Sequence, residues 1–281
     1  MPIDPDAVGA KGEPTSRSWD SRDVMLYAIG VGAGLDELAL TTENTQGVDL
    51  VTLPSMAVIL GGGMNALADI GSFNPVLLVH GGQAFTVHAP IPTSGTVTTV
   101  GEVTAIWDKG SGAVVEVTSS SKLEGSDDVL FSNTTSIFLR GEGGYGGDRG
   151  PSGPQNEPPD TAAEDQIVLS TRDDQALLYR LSGDHNPLHS DPSFATAAGF
   201  DRPILHGLCT YGFTGRGLIQ GLCDGDATRL TSMEGRFSSP VYPGEALTVR
   251  MWRTGDGEAV FTTHGADDRI VISAGRTTWN D

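Results

Sequence analysis

The sequence predicts an α+β protein in which a helix packs on a curved antiparallel sheet, with this unit present twice. From Arg229 onward, β-branched residues alternate with polar ones between turn signals, which predicts about four antiparallel strands. Apolar residues recur close to a helical period between Leu208 and Leu222, which predicts a helix from about Gly207 to Leu222. A series of motifs in the first half of the chain also recurs, in the same order, in the second half.

The repeated motifs define the order of elements in each half. Each half begins with an Arg-Asp pair and a Leu-Tyr pair, followed by a proline, an apolar run and a His-Gly pair. A Pro-rich turn then leads into a strand and a Trp-containing hairpin, and two aspartates precede the last strand. The paired segments are 22–27 with 172–179, 75–81 with 203–207, 90–98 with 240–248, 107–115 with 252–260, and 127–128 with 267–268.

A connecting segment separates the halves. Residues 141–160 contain 7 Gly and 4 Pro among 20 residues, a composition typical of a linker. The expected division is therefore an N-terminal domain (1–140), a linker (141–165) and a C-terminal domain (166–281).

The charge balance limits the classes of partner. The 281 residues include 17 Lys and Arg against 36 Asp and Glu, a formal net charge of −19. Such a field repels nucleic acid and anionic lipid surfaces, so neither is expected as a partner. A few local cations can still hold a small phosphate-bearing ligand, because salt screens distant charges beyond about 8 Å.

Cysteine content and hydropathy indicate the compartment. Cys209 and Cys223 are the only cysteines, and both lie in a Gly-rich apolar stretch that forms no disulfide framework, which favours the reducing cytoplasm. The polar start of the chain predicts no secretory leader, and no apolar run approaches the roughly 18 residues of a membrane span.

The densest group of polar side chains lies in residues 179–189, YRLSGDHNPLH. Asn186-Pro187 disfavours a continuous helix and predicts a rigid bend that directs Asp184 and His189 into one cleft. A carboxylate and a neutral imidazole placed together can hold a water molecule and transfer its proton. Read alone, the same residues are also ordinary turn formers.

Residues 179–212, YRLSGDHNPLHSDPSFATAAGFDRPILHGLCTYG, resemble the signature of the R-specific enoyl-CoA hydratases, also called hydratase 2 or MaoC-like dehydratases. Segments 21–34, 77–85, 106–115 and 236–247 are similar to the two-domain form, best known as the hydratase part of peroxisomal multifunctional enzyme type 2. The resemblance implies a double hot-dog fold with a long helix in each half. It also implies a catalytic second domain and a degenerate first domain that shapes the acyl-chain space.

The resemblance also implies roles for individual residues. Asp184 and His189 would act on water and the α-carbon, Asn186 would orient them, and the Gly207 N–H would bind the thioester oxygen. Other positions that match or border the acyl-CoA site are His80, Gly81, Lys109, His185, Pro187, Leu188 and Phe237. No cofactor is implied, a homodimer is expected, and the first half lacks the Asp-x-Asn-Pro-x-His motif, so one active site per chain is expected.

The physical chemistry of Gly207 agrees with this role. It begins the predicted helix, where N–H groups are free and the dipole is positive, and the absence of Cβ lets a carbonyl approach. Its alternative role is a plain loop-to-helix joint.

Other interpretations of the site remain open at this stage. His185 and His189 have metal-pair spacing only on a helix, which Pro187 disfavours, so no metal is expected. A hot-dog acyl-CoA thioesterase and a non-catalytic acyl-thioester-binding subunit remain alternatives. The sequence also leaves open the acyl length, the choice between fatty and steroid substrates, the carrier and the direction of the reaction.

Overall fold

The fold is described from a computed structural model that covers residues 3–153 and 155–280. None of the helices in these residues is long and apolar enough to cross a membrane. The strands are β1 (Thr15–Trp19), β2 (Leu78–Val87), β3 (Gly95–Asp108), β4 (Gly112–Leu123), β5 (Val129–Arg140), β6 (Asp165–Ser170), β7 (Leu230–Phe237), β8 (Ala246–Gly255), β9 (Glu258–His264) and β10 (Ile270–Trp279). The α-helices are α1 (Ser21–Gly30), α2 (Leu38–Thr41), α3 (Ala57–Leu60), α4 (Gln175–Tyr179), α5 (Pro192–Ala197) and α6 (Gly207–Leu222). The 3-10 helices are Pro5–Ala7, Pro54–Met56, Met64–Asp69, Pro75–Leu77, Arg180–Ser182, Pro187–His189, Ala227–Arg229 and Ala266–Asp268.

All the described strands form one ten-stranded sheet in the order β1-β3-β4-β5-β2-β7-β10-β9-β8-β6. Every neighbouring pair is antiparallel. Counted inward from each edge, the strands of the first half (β1-β3-β4-β5-β2) and those of the second half (β6-β8-β9-β10-β7) follow the same order. The two halves join where β2 pairs with β7. The predicted α+β class and double hot-dog organisation are confirmed.

The topology corrects one of the predicted repeat pairs. Residues 75–81 lead into β2, whose counterpart in the second half is β7, whereas residues 203–207 lead into α6. Both segments contain His-Gly after an apolar run, but only strand pairing fixes their place in the repeat. The Trp-containing hairpins lie between β3 and β4 and between β8 and β9, and the aspartate pairs precede β5 and β10, in agreement with the predicted order.

The long helix α6 has the predicted bounds and lies in the core of the second half. Its glycines allow the approach of neighbouring elements: a Cβ on Gly212 would lie less than 3.0 Å from Val31, and a Cβ on Gly217 would lie less than 3.0 Å from Val249. Close packing therefore offsets the roughly 1 kcal/mol that each glycine costs a helix relative to alanine.

The expectation of a long helix in each half holds only for the second half. In the first half its position in the chain order is taken by the 3-10 helix Pro54–Met56 followed by the four-residue α3. The sequence stops this helix early, because residues 61–63 are three consecutive glycines and Gly63 adopts a left-handed φ of 95°.

The segment that joins β5 to β6, residues 141–164, contains no helix or strand in its described part. It crosses the sheet on the face opposite α6: Asn156 bonds to Glu234, while the preceding residue, Met233, contacts α6 from the other face. The expected division of the chain at 140 and 166 stays a prediction.

Candidate active site

The bend after α4 is built by its own side chains. The 3-10 helix Arg180–Ser182 ends at Gly183, whose φ of 125° is open to glycine and strained for other residues. Asp184 Oδ1 then accepts the Asn186 N–H at 3.0 Å, and Asn186 Oδ1 accepts the Leu188 N–H at 3.0 Å. These two successive Asx turns, the second of which contains Pro187, form the rigid bend that the sequence predicts.

His189 lies at the floor of the site with a defined tautomer. It is 9% exposed, and its Nδ1 lies 2.9 Å from the carbonyl oxygen of Ile204. Because a carbonyl can only accept, Nδ1 carries the proton and Nε2 is left as the acceptor. Burial lowers the pKa of His189 below its ordinary value, which keeps the ring neutral at physiological pH.

His206 is a third member of this cluster. It precedes α6 directly, is 1% exposed, and stacks on His189 with ring centroids 3.8 Å apart. Its Nε2 lies 3.2 Å from the backbone carbonyl of Asp184, and its Nδ1 has no hydrogen-bond partner among the described residues. Burial and the neighbouring His189 lower the pKa of His206 to about 4.

The three side chains converge on one point. Asp184 is exposed at the rim, and one potential ligand atom from each of Asp184, His189 and His206 lies within 4.8 Å of the others. The two imidazole rings are stacked with their planes 29° apart, and one nitrogen of each ring already faces a backbone carbonyl. The expectation of a metal-free site stays a prediction.

Gly207 directly follows His206 of this cluster and is the first residue of α6. Its N–H, in the first turn of the helix, has no acceptor within the described residues and lies at the positive end of the helix dipole. The ring of Phe237, from β7, covers the glycine: a Cβ at Gly207 would lie 3.4 Å from it. An oxygen that gains negative charge beside Gly207 would therefore meet an unpaired donor in apolar surroundings.

The first half of the chain supplies His80 to this site. Its ring meets Phe237 edge to face, with centroids 4.9 Å apart, and its Nε2 lies 3.1 Å from both Gly82 O and Gln83 Oε1. A register shift between His80 and Gly82 leaves Gly81 in a bulge that turns the strand here. Burial lowers the pKa of His80, while its hydrogen bonds to Gln83 and Gly82 and the charge of Asp184 oppose this shift.

Comparison with known proteins shows the family to which the chain belongs. A family model described as "MaoC like domain" matches residues 153–274, and one described as "MFE-2 hydratase 2 N-terminal domain" matches residues 18–141. The 3-hydroxyacyl-thioester dehydratase Y of Mycobacterium tuberculosis is 48% identical over 98% of each chain. The chain belongs to the hydratase 2 family of MaoC-like dehydratases.

Two further relatives extend this similarity. The probable enoyl-CoA hydratase 2 of Dictyostelium discoideum is 37% identical over 95% of this chain and 93% of its own. The crystal structure of a MaoC-like dehydratase from Phytophthora capsici superposes with a TM-score of 0.89 at 28% identity, covering 99% of this chain and 98% of that chain.

Some of the residues predicted from the sequence lie in the cluster, and others lie along its rim. Asp184, His189, Gly207, His80 and Phe237 lie together, as described above. Asn186 acts through its turn, since its side chain caps the Pro187–His189 helix. His185 and Pro187 are exposed and Leu188 is half-buried, which places them along the bend at the rim.

Lys109 lies outside this MaoC-like cluster. Its Nζ donates to the carbonyl oxygens of Arg149 and Pro151 and lies 5.4 Å from the centre of the Trp107 ring. It lines a separate cavity of about 390 Å³ that also includes Gly82 and Arg236, the residues next to Gly81 and Phe237. Its predicted contact with acyl-CoA stays a prediction.

Sequence reasoning used the glycine of the LHG segment and missed its histidine. The signal for His206 was its position directly before a predicted helix start, but ring stacking on His189 depends on the folded path of the bend. Tyr179 was also missed as a neighbour of the site: its ring lies 5.0 Å from His206, and its hydroxyl is buried without a partner in the described part of the chain. A contact from the first half, Arg17 to the carbonyl of Ser182 at 3.2 Å, holds the same bend.

Proposed function

We propose that this protein reversibly hydrates trans-2-enoyl thioesters to (R)-3-hydroxyacyl thioesters, with a water molecule activated by Asp184 and His189. The observation that carries the proposal is the grouping of a carboxylate with a neutral imidazole whose Nε2 is free, together with the unpaired N–H of Gly207, which directly follows His206 of the same cluster. The names of relatives, an enoyl-CoA hydratase 2 and a 3-hydroxyacyl-thioester dehydratase, support the same reaction and an acyl-CoA substrate.

The proposed reaction adds one water molecule without a cofactor. Water held between Asp184 and His189 gives a proton to Nε2 of His189 while its oxygen bonds to C3 of the substrate. The C2–C3 π electrons move toward the thioester carbonyl, whose oxygen accepts the Gly207 N–H. A proton returned from the dyad reaches C2 on the same face, so the enzyme is regenerated, and the reverse sequence is the dehydration.

The test replaces each member of the dyad. We expect Asp184→Asn and His189→Gln each to lower kcat by about 10²–10⁴-fold, the usual contribution of a general acid or base. Hydration of a chain-length series of enoyl-CoA esters is followed by loss of the conjugated thioester absorbance, with chiral analysis of the product. Asp127→Asn, an exposed carboxylate after β4, is the matched control.

The alternative functions give different results in the same assay. A thioesterase would release free coenzyme A from saturated and unsaturated esters without adding water. A binding subunit would bind enoyl-CoA without turnover. Near-normal hydration by either dyad variant, in a folded protein, would reject the assigned roles.

A further inference from the structure

His206 is held in place by its own backbone. It directly precedes α6, and its carbonyl oxygen accepts the N–H of Thr210 at 3.1 Å. The preceding residue, Leu205, donates its N–H to the carbonyl oxygen of Val241 at 2.7 Å. These two hydrogen bonds fix the point from which the His206 side chain extends, and with it the position of the adjacent Gly207 N–H.

The His206 side chain contacts both members of the dyad. Its ring stacks on His189 with centroids 3.8 Å apart, and its Nε2 lies 3.2 Å from the backbone carbonyl oxygen of Asp184. Because a carbonyl can only accept, Nε2 of His206 carries the proton and donates to Asp184. The two stacked rings therefore have opposite tautomers, since His189 carries its proton on Nδ1. Together, the stack and the hydrogen bond join the imidazole to the start of the turn that holds the carboxylate.

Tyr179 is a second aromatic neighbour of His206. The two ring centroids lie 5.0 Å apart with their planes at 54°, and both side chains are 1% exposed. In so closely packed a setting, the His206 ring cannot turn away from His189 without displacing buried side chains. The position of His206 therefore limits the orientations that are open to His189.

The charges around the two rings keep His206 neutral. Burial and the neighbouring His189 lower the pKa of His206 to about 4, while Asp184 acts in the opposite direction and Arg180 in the same direction. Burial also lowers the pKa of His189, and its bond to the Ile204 carbonyl and the charge of Asp184 oppose this shift. With so low a pKa, His206 is a poor proton acceptor near pH 7, so its contacts are what it offers the site.

We propose that His206 is a positioning residue for the hydration: its ring sets the plane of the His189 imidazole and shields one face of it from water, and its Nε2–H holds the backbone of Asp184. This inference rests on the proposed function and adds a residue that takes no part in the proton transfers. Because Gly207 follows His206 directly, one residue connects the carboxylate, the imidazole and the free N–H. Their relative placement matters, since a shift of about 1 Å at a reacting group can cost about 10²-fold in rate.

The test separates the two contacts by substitution. His206→Phe keeps an aromatic ring and removes the donor, His206→Gln keeps an N–H donor of similar reach and removes the ring, and His206→Ala removes both. The matched control is His264→Gln, because His264 at the end of β9 is also buried and has both ring nitrogens in hydrogen bonds, to the Thr262 hydroxyl and the Asp268 carbonyl. Circular dichroism and thermal unfolding establish that each variant is folded.

We expect His206→Ala to lower kcat for the hydration of an enoyl-CoA ester by about 10²-fold. His206→Phe and His206→Gln should each lower it by about tenfold, because each retains one of the two contacts. KM should stay within about twofold in all three variants, and both constants should be unchanged in the control. A near-normal kcat in His206→Ala, or a kcat in either single-contact variant as low as in His206→Ala, would overturn the proposal.

The pH profile distinguishes positioning from a purely structural role. Loss of the ring exposes one face of His189 to water, so the burial that lowers its pKa is reduced. The acid limb of kcat/KM should therefore move up toward pH 6.5 in His206→Ala and His206→Gln, and it should stay in place in His206→Phe. An unmoved limb in His206→Ala, or an equal movement in His206→Phe, would contradict the shielding of His189 and overturn the proposal.

An NMR titration separates this proposal from the hydratase assignment. The ring nitrogens of isotope-labelled histidine report the tautomer and the pKa of His189 without turnover, and His189→Gln identifies its signals. If the wild type hydrates no enoyl thioester, the proposed function fails, but a His189 pKa that is raised in His206→Ala and unchanged in His206→Phe would still support the positioning role. The same His189 pKa in the wild type and in His206→Ala would overturn the positioning role alone.

Discussion

The hydrogen bond between His189 and the Ile204 carbonyl decides how the imidazole can act. It fixes the proton on Nδ1, so Nε2 can accept a proton only while the ring is neutral. His206, stacked on the same ring and itself kept neutral by burial, gives apolar aromatic support without adding a second positive charge. The pair therefore favours the uncharged, proton-accepting form of His189.

This arrangement predicts the acid side of the pH profile. Burial lowers the pKa of His189, so the neutral acceptor persists below pH 6.5, and kcat/KM should fall only as the pH drops through that lowered value. Measurement of kcat/KM from pH 4 to pH 9 should place the midpoint of this fall below 6.5. A midpoint at or above 6.5, or the same limb in His189→Gln, would contradict the role of the neutral ring.

Sequence reasoning succeeded at residues whose role is local and failed where it depends on tertiary contacts. The Asp184-to-His189 bend could be predicted because the Asx turns and Pro187 act within a few residues. His206 could not, because its stacking requires the bend and the start of α6 to meet in space. Lys109 likewise donates to carbonyl groups 40 and 42 residues away, and a local sequence pattern cannot predict such contacts.

At the scale of elements, α6 was predictable and its counterpart was not. The apolar period of α6 continues to its end, whereas Pro54 and the three glycines at 61–63 confine the first-half helix to a few residues. The His-Gly pairs at 80–81 and 206–207 look alike in sequence but belong to a strand and a helix start. Antiparallel pairing across the whole sheet, not local composition, decides between these positions.

The glycines of α6 provide a stability prediction on one helix. Gly212→Ala should destabilise the fold by about 1–3 kcal/mol, since its methyl group would overlap Val31. Gly215→Ala meets Ser55 at an ordinary 3.5 Å and should be neutral or more stable by up to about 1 kcal/mol through helix propensity. Urea unfolding of the two variants measures the difference, and equal free energies of unfolding would show that close packing does not explain these glycines.

At the scale of the whole molecule, the two halves form one functional unit. The sheet is continuous through β2 and β7, the first half supplies His80 to the site, and Arg17 holds the catalytic bend. The repeated strand order therefore places the candidate site where the halves meet, with Asp184, His189 and Gly207 all in the second half. The cytoplasmic location and the homodimer stay predictions, and light scattering of the purified protein tests the latter.

A buried ion pair between the halves provides a test of whether the two halves unfold together. Arg216, 4% exposed on α6, is paired with Glu37, which directly precedes α2, and donates to the Val31 carbonyl at 2.9 Å. Glu37→Ala leaves a buried guanidinium without its counter-charge, which should lower the free energy of unfolding by about 3–5 kcal/mol. The double variant Glu37→Leu with Arg216→Met removes both charges and should recover most of that loss, because the desolvation cost also disappears. Denaturant unfolding followed by fluorescence and by circular dichroism should give coincident transitions in all three proteins if the halves unfold together. A single variant as stable as the wild type would show that this ion pair contributes little to stability, and separate transitions in the wild type would show that the halves unfold independently.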